Sequence, residues 1–180
     1  PRSSGYGSIG HSNTLASHYY SAGLDNLGQV VASVSARTFE GGAAVDVREL
    51  ILLGGGRGDI RQLDQYISGM SFDGFESIWS YIVYGDGRVN IRHTVKPHGT
   101  MPPYLPRIGI TFVLDGSLSN VQWYGRGPQA NYPDRKSGYR IGIWNTTVED
   151  MYEPYLIPQE YGLRTDNRWV RMTDSDGKGV

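Results

Sequence analysis

The 180-residue sequence contains no cysteine. This absence excludes disulfide bonds, zinc sites built from thiolates and a cysteine nucleophile. It leaves the compartment open, because a chain without cysteine suits the bacterial cytoplasm and the periplasm equally. The sequence also lacks a run of about 18 apolar residues, so it predicts no membrane-spanning helix.

Neither sign of charge dominates the composition. Lys and Arg together number 17, Asp and Glu number 18, and the formal net charge is -1. Binding to nucleic acids or anionic membranes depends on a positive field. We therefore expect neither as a partner. Residues 1–20 are rich in Gly, Ser, His and Tyr without the apolar core of a signal peptide, and we expect an arm or loop there.

The abundant residues favour β-structure. There are 25 Gly and 13 Tyr, which suit turns and pleated, half-buried surfaces respectively. Alternating apolar residues and turn signals predict strands at 29–39, 43–53, 75–84, 88–95, 107–114, 121–124, 141–144, 155–157 and 168–172. Many short strands of this kind predict one all-β sandwich over residues 21–180.

Local patterns refine this prediction. Gly85-Asp86-Gly87 predicts a hairpin turn. Val45 and Val47, with Leu50 as a third candidate, are expected to face inward from their strand. Residues 97–106 are interrupted by proline, which predicts an extended connection. Apolar residues three and four apart in residues 59–70 predict one short helix.

Familiar catalytic and ligand motifs are missing. The triglycine at 54–56 is not followed by the Gly-Lys-Ser/Thr of a phosphate-binding loop, so we interpret it as a loop insertion. His11, His18, His93 and His98 lack metal-ligand spacing, and no serine nucleophile elbow is present. We expect no catalytic residue, metal site or cofactor within this chain.

Polar, aromatic, Gly and Pro residues are dense between residues 106 and 169. Charged side chains there can join loops through charge-assisted hydrogen bonds, and aromatic and planar polar groups also suit a sugar. We favour loop bracing over sugar contact. The candidate residues for either role are Trp123, Tyr124, Arg126, Asn131, Tyr132, Asp134, Arg135, Tyr155, Gln159, Glu160 and Arg164.

The strings Trp123–Pro128, Asn131–Arg135 and Pro158–Glu160 carry a family resemblance. They resemble the C-terminal β-sandwich, or small chain, domain of β-galactosidases of glycoside hydrolase family two. The resemblance is close over residues 81–169. Two positions depart from it, because Ala130 stands where the family usually has Glu and Tyr161 where it usually has Asn. Ala130 removes one charged partner from the loop network.

The resemblance implies an antiparallel supersandwich like that of galactose mutarotases, which we expect to be incomplete in this chain. It implies a parent enzyme that hydrolyses terminal β-D-galactosides with retention, through two glutamates in a TIM barrel that is absent here. Mg²⁺ and Na⁺ would belong to that barrel site. The implied partners are the remaining domains of a homo-oligomeric enzyme, and the galactoside at most peripherally.

Three hypotheses follow. The leading one is a non-catalytic domain of a β-galactosidase. The second is an independent carbohydrate-binding module. The third, by analogy of fold alone, is an aldose epimerase-like enzyme, for which His93 and Glu160 are the candidate acid–base pair.

Overall fold

A computed structural model describes residues 15–54, 72–105, 107–157 and 159–180. The chain forms two compact units, Pro1–Ile108 and Gly109–Val180. The described elements are α1 (Leu15–Ser21), β1 (Gly28–Phe39), β2 (Gly42–Leu52), β3 (Gly74–Tyr84), β4 (Val89–His98), β5 (Asn120–Gly127), β6 (Arg140–Thr147), a 3₁₀ helix (Glu149–Met151) and β7 (Trp169–Thr173).

The first unit is built around a four-stranded antiparallel sheet in the order β1-β2-β3-β4. Each strand pairs with its neighbour in sequence; short turns join β1 to β2 and β3 to β4, whereas residues 53–73 connect β2 to β3. The predicted turn at 85–87 joins β3 to β4, and Gly87 there has a φ of 88°. That backbone conformation costs glycine little, which is why the Asp-Gly signal was informative.

The buried face of β2 differs in part from the prediction. Ala44, Leu50 and Leu52 are buried, whereas Val45 and Val47 are half-buried. Successive residues of a strand point to opposite faces. Leu50 therefore cannot share a face with the two valines, and the prediction was correct for Leu50 alone.

The predicted extended connection begins later than expected. Strand β4 continues through Pro97 to His98, and Pro97 pairs with Phe75 of β3. Because β4 lies at the edge of the sheet, a residue without a backbone N–H is tolerated there. The prediction of a connection over residues 97–106 was therefore wrong for Pro97 and His98, which belong to this edge strand.

The second unit contains a three-stranded antiparallel sheet in the order β6-β5-β7. Burial alternates along β5, where Val121 and Trp123 are buried with Gly125 and Gly127. Strand β5 is the central strand, and it fixes the start of the loop at residues 128–139. The candidate residues begin on this strand.

Two predicted strands are wrong. Residues 107–114 and the described residues at 155–157 are outside the strands. Ile108, Phe112 and Val113 are exposed, with Val113 at 95%. An apolar alternating pattern predicts a strand only where a partner strand pairs with it, and none of the described residues pairs with this segment.

Helix α1 lies where an arm or loop was expected for residues 1–20. The helix predicted at 59–70 lies outside the described residues. The all-β antiparallel class with one short α-helix is confirmed for the described part of the chain, and two antiparallel sheets are consistent with a sandwich-like domain.

Candidate functional site

The candidate residues all belong to the second unit. Trp123, Tyr124 and Arg126 lie on β5, and the rest lie in loops after β5 or before β7. The first loop leaves β5 through a cis peptide bond between Gly127 and Pro128. Strand β5 thus carries three of the candidate residues and leads directly into the first loop.

Asn131 is the most buried member of this loop system, with 0% of its surface exposed. Its side-chain Oδ1 accepts hydrogen bonds from the backbone N–H and the hydroxyl of Thr165, at 2.9 and 2.5 Å. Its Nδ2 donates to the carbonyl of Gln129 at 3.1 Å, and its backbone N–H donates to the carbonyl of Leu163 at 2.8 Å. A single amide side chain thus joins two loops far apart in sequence.

Arg126 joins β5 to two further segments. Its Nε donates to Asp166 at 2.5 Å, and its Nη1 donates to the carbonyls of Lys136 and Tyr139 at 3.1 and 2.6 Å. The hydrogen bond from Arg126 holds the pKa of Asp166 below its usual range. The planar guanidinium can satisfy these acceptors together, which a lysine ammonium could not do in the same geometry.

Trp123 and Arg164 stack on one another. The guanidinium carbon of Arg164 lies 5.4 Å from the centre of the indole ring, and the indole Nε1 donates to the carbonyl of Arg126 at 3.0 Å. Arg164 donates from Nη1 to the Gly162 carbonyl at 2.8 Å and from Nη2 to the Pro128 carbonyl at 3.3 Å. Its Nε is buried and has no hydrogen-bond partner among the described residues, and burial lowers the pKa of its guanidinium.

One open cleft, here called the first cleft, is lined by candidate residues alone. Its volume is about 450 Å³. Its lining residues are Tyr132, Asp134, Arg135, Tyr155, Gln159 and Glu160. The sequence therefore identified a set of side chains that the fold brings together around one concave surface.

Hydrogen bonds organise one wall of the first cleft. Arg135 lies 4.9 Å from the centre of the Tyr132 ring and donates to the hydroxyl of Tyr155 at 3.3 Å. The Tyr155 hydroxyl donates in turn to Glu153 at 2.8 Å. This bond to a carboxylate raises the pKa of Tyr155, since ionisation would break it. The hydroxyl of Tyr132 is buried, and none of the residues that the structure describes hydrogen-bonds to it.

A second cleft, of about 500 Å³, lies in the same unit. Its walls include Gln129, Ala130, Arg135, Asp150, Glu153 and Arg164. Arg135 lines both clefts. Ala130 is only 1% exposed, so the position where the sequence departs from the family pattern lies inside the loop system.

Tyr124, like Arg126 and Asn131, lines neither cleft. It is 37% exposed, on the face of β5 opposite Trp123. Its ring packs at 6.4 Å against that of Trp169 and lies 5.5 Å from the Arg168 guanidinium. Because side chains alternate along a strand, Tyr124 faces away from the loops that surround Trp123, its neighbour in sequence.

Sequence reasoning missed the partners of the candidate residues. Thr165 donates a hydrogen bond to Asn131. Asp166 accepts one from Arg126, and Glu153 accepts one from Tyr155. The run Thr165-Asp166-Asn167 has the composition of a turn, and Asp166 has a φ of 55°. The sequence could have predicted this turn, but not which distant side chains its residues hydrogen-bond.

His93, one of the two residues of the epimerase hypothesis, is packed in the first unit. Its Nε2 lies 2.8 Å from the hydroxyl of Ser77, and its ring stacks on Trp79 with centroids 3.6 Å apart. Among the described residues, no group of three or more His, Asp or Glu could hold a metal ion. In the same part of the chain, no helix is long and apolar enough to cross a membrane.

Comparison with known proteins was made for the whole chain. A family model described as the β-galactosidase small chain matches residues 12–179. A β-galactosidase of Priestia megaterium is 40% identical over 100 residues, which are 56% of this chain and 10% of that protein. A β-galactosidase of Vibrio cholerae serotype O1 is 40% identical over 94 residues, 52% of this chain and 9% of that protein.

A β-galactosidase of the yeast Kluyveromyces lactis is 35% identical over 101 residues, 55% of this chain and 10% of that protein. The chain spans about a tenth of the length of these relatives. The match to the family model, in contrast, covers nearly the whole chain. The chain therefore belongs to the β-galactosidase small chain family.

Proposed function

We propose that this chain is a non-catalytic domain of a larger β-galactosidase, in which its loop system acts as a rigid brace. The parent enzyme hydrolyses terminal β-D-galactosides with retention of configuration, and its two catalytic glutamates belong to a TIM barrel. The partners of this chain are the remaining domains of that enzyme, which acts as a homo-oligomer. The relatives named above support this, since each is a β-galactosidase and the matched segment makes up only about a tenth of it.

The observation that carries the proposal is the burial of Asn131 among four hydrogen bonds. The buried side-chain amide makes three of these bonds, all to groups of its own loop system, and so fixes backbone, whereas a substrate-binding amide must be accessible to its ligand. Arg126 is likewise engaged by one carboxylate and two carbonyls. The side chains of Asn131 and Arg126 therefore hold the loop backbone in place.

The metal ions that the resemblance implies, Mg²⁺ and Na⁺, belong to the barrel in this proposal. The described residues of this chain offer no cluster of three or more carboxylates and histidines that fits such an ion. No step of the reaction is assigned to them here.

The direct test is an assay of the 180-residue chain with a chromogenic galactoside, in which we expect no turnover. Clear activity that the Glu160→Gln variant abolishes would contradict the proposal, because Glu160 is one of the two carboxylates that line the first cleft. Activity that survives in this variant would point to a contaminating enzyme, which a second purification removes before the assay is repeated.

A second test uses the full-length enzyme. A brace predicts that Asn131→Ala shortens the half-life at elevated temperature and leaves KM unchanged. The matched control is Asn145→Ala, since Asn145 is exposed and its side chain accepts a hydrogen bond from Gln122 at the surface. A raised KM with normal thermal stability would instead assign Asn131 to substrate binding.

A carbohydrate-binding module is the second candidate function, and the first cleft favours it. The cleft combines two tyrosine rings with an arginine, an amide and two carboxylates, groups that suit a sugar ring and its hydroxyls. Titration calorimetry of the chain with galactose and lactose separates the two functions. The brace predicts no heat of binding for either sugar.

A further inference from the structure

The second cleft contains a cationic group whose hydrogen bonding is incomplete. The Nε of Arg164 is buried and donates to no acceptor among the described residues. Its two other bonds go to the backbone carbonyls of Gly162 and Pro128. A buried donor without an acceptor is costly, so the guanidinium of Arg164 is incompletely satisfied by the described residues.

The charge of Arg164 also lacks a direct partner. No ion pair joins its guanidinium to a carboxylate in the described part of the chain. Glu153 acts on it only through space, opposing the effect of burial on its pKa. Guanidinium groups bind carboxylates through paired N–H donors, so Arg164 is suited to a carboxylate ligand.

The wall beside Arg164 has room for such a ligand. The residue there is Ala130, whose side chain is a single buried methyl group. The cleft measures about 500 Å³, within the range of about 300–1,000 Å³ usual for small-molecule sites. A larger side chain at position 130 would occupy part of this space.

Other groups of the cleft favour a ligand that also carries hydroxyls. Asp150 already accepts a hydrogen bond from Thr147, and Glu153 accepts one from Tyr155, so both carboxylates are held in place. Each carboxylate has further lone pairs that can accept from ligand hydroxyls. With Arg135 and Arg164 the cleft has no net charge, which disfavours a multiply charged ligand such as a phosphate ester.

We propose that the second cleft binds a sugar acid, that is, a hydroxylated monocarboxylate of the uronic or aldonic class. Its carboxylate accepts from Arg164, and its hydroxyls donate to Asp150 and Glu153. This site is separate from the function proposed above, which predicts no binding of a neutral sugar, so either proposal can fail without the other.

The test compares three probes on the 180-residue chain: galacturonate, galactose and acetate. Binding is followed by NMR of the indole N–H signals, because Arg164 stacks on Trp123. Trp79, which lies in the first unit, serves as the internal control. We expect galacturonate to shift the Trp123 signal and leave Trp79 unchanged. Galactose and acetate should each bind at least about tenfold more weakly, since galactose lacks the carboxylate and acetate lacks the hydroxyls.

Two variants at position 130 provide a second measurement. Ala130→Glu places a carboxylate in the cleft, and Ala130→Gln is its uncharged control of equal size. Both narrow the cleft and should weaken galacturonate binding by about tenfold or more. Only the Glu variant should raise the midpoint of thermal unfolding, because only its side chain can pair with Arg164.

Three results would overturn the proposal. The first is no shift of Trp123 with galacturonate, or an equal shift of Trp79. The second is galactose binding as tightly as galacturonate, which would indicate a neutral-sugar site. The third is undiminished galacturonate binding by a folded Ala130→Glu variant. If that variant does not fold, the comparison of probes at Trp123 decides by itself.

Discussion

The Oδ1 atom of Asn131 accepts two hydrogen bonds from one residue, the backbone N–H and the hydroxyl of Thr165. The two residues are 34 positions apart in the chain. A short side chain can reach both donors only if the loop after β5 and the loop before β7 are already in contact. The pair is therefore a sensitive measure of whether the loop system is assembled.

Replacing Asn131 by Ala should destabilise the second unit. The backbone N–H and hydroxyl of Thr165 would lose their acceptor in a buried site, which we expect to cost about 2–4 kcal/mol in the free energy of unfolding. Urea denaturation followed by tryptophan fluorescence measures it. Asn145→Ala, at an exposed position, should change the free energy by less than about 0.5 kcal/mol. Equal effects of the two changes would contradict the role of Asn131.

Arg126→Lys should not behave as a conservative change. A lysine can reach one of the three acceptors, Asp166 and the carbonyls of Lys136 and Tyr139, but not all of them in one plane. We expect a loss of about 1–2 kcal/mol. Arg171→Lys is the matched control, because Arg171 is exposed on β7 and its side chain donates to the Gly177 carbonyl. A loss at Arg171 as large as at Arg126 would argue against this account.

Gly125→Ala should disrupt the approach of the turn at 165–167 to β5. A Cβ at this position would collide with the side-chain oxygen of Asn167 and press on its Cα. Overpacking of this kind costs about 1–3 kcal/mol, and a lower midpoint of thermal unfolding would reveal it. The control is Gly138→Ala, where a Cβ meets nothing within 4 Å. Unchanged stability of the Gly125 variant would mean that the turn can move away at no cost.

The acid limb of stability in the first unit should depend on Glu76. This side chain is 12% exposed and pairs with Arg48 at 2.5 Å and Lys96 at 3.2 Å. The hydrogen bond from Arg48 is the main reason that the pKa of Glu76 lies below its ordinary value of 4.5. A lowered folded pKa contributes stability that is present above 4.5 and is lost as the pH falls through the folded value.

Glu76→Gln should therefore lower stability at pH 7 and flatten its decline at acidic pH. Thermal unfolding of both proteins between pH 7 and pH 3 measures this, and the two curves should converge at the acidic end. The control is Asp86→Asn, since the Asp86–Arg88 pair is exposed within one turn and should contribute little. Parallel curves for Glu76→Gln and the unchanged chain would show that this pair does not govern acid stability.

How far the sequence predicted the site differs from residue to residue. Tyr132, Asp134, Arg135, Tyr155, Gln159 and Glu160 were chosen from composition and pattern, and they line one cleft. Tyr124 was chosen by the same reasoning and lies on the opposite face of β5 from Trp123. Side-chain alternation decides this, and it can be read from the sequence only when the strand and its buried face are both known.

The sequence by itself determined the antiparallel hairpins of the first unit, since alternating residues and an Asp-Gly turn specify them locally. It also determined the chemical character of the loop system, because Arg, Asn and Tyr side chains supply hydrogen bonds and ring contacts, and the Gly and Pro residues between them favour loops over regular strands. Only the tertiary structure decided that Leu50 and not Val45 is buried, that residues 107–114 join no sheet in the described part of the chain, and that Asn131 meets Thr165. These depend on contacts between residues far apart in the chain, whose pairing no local pattern encodes.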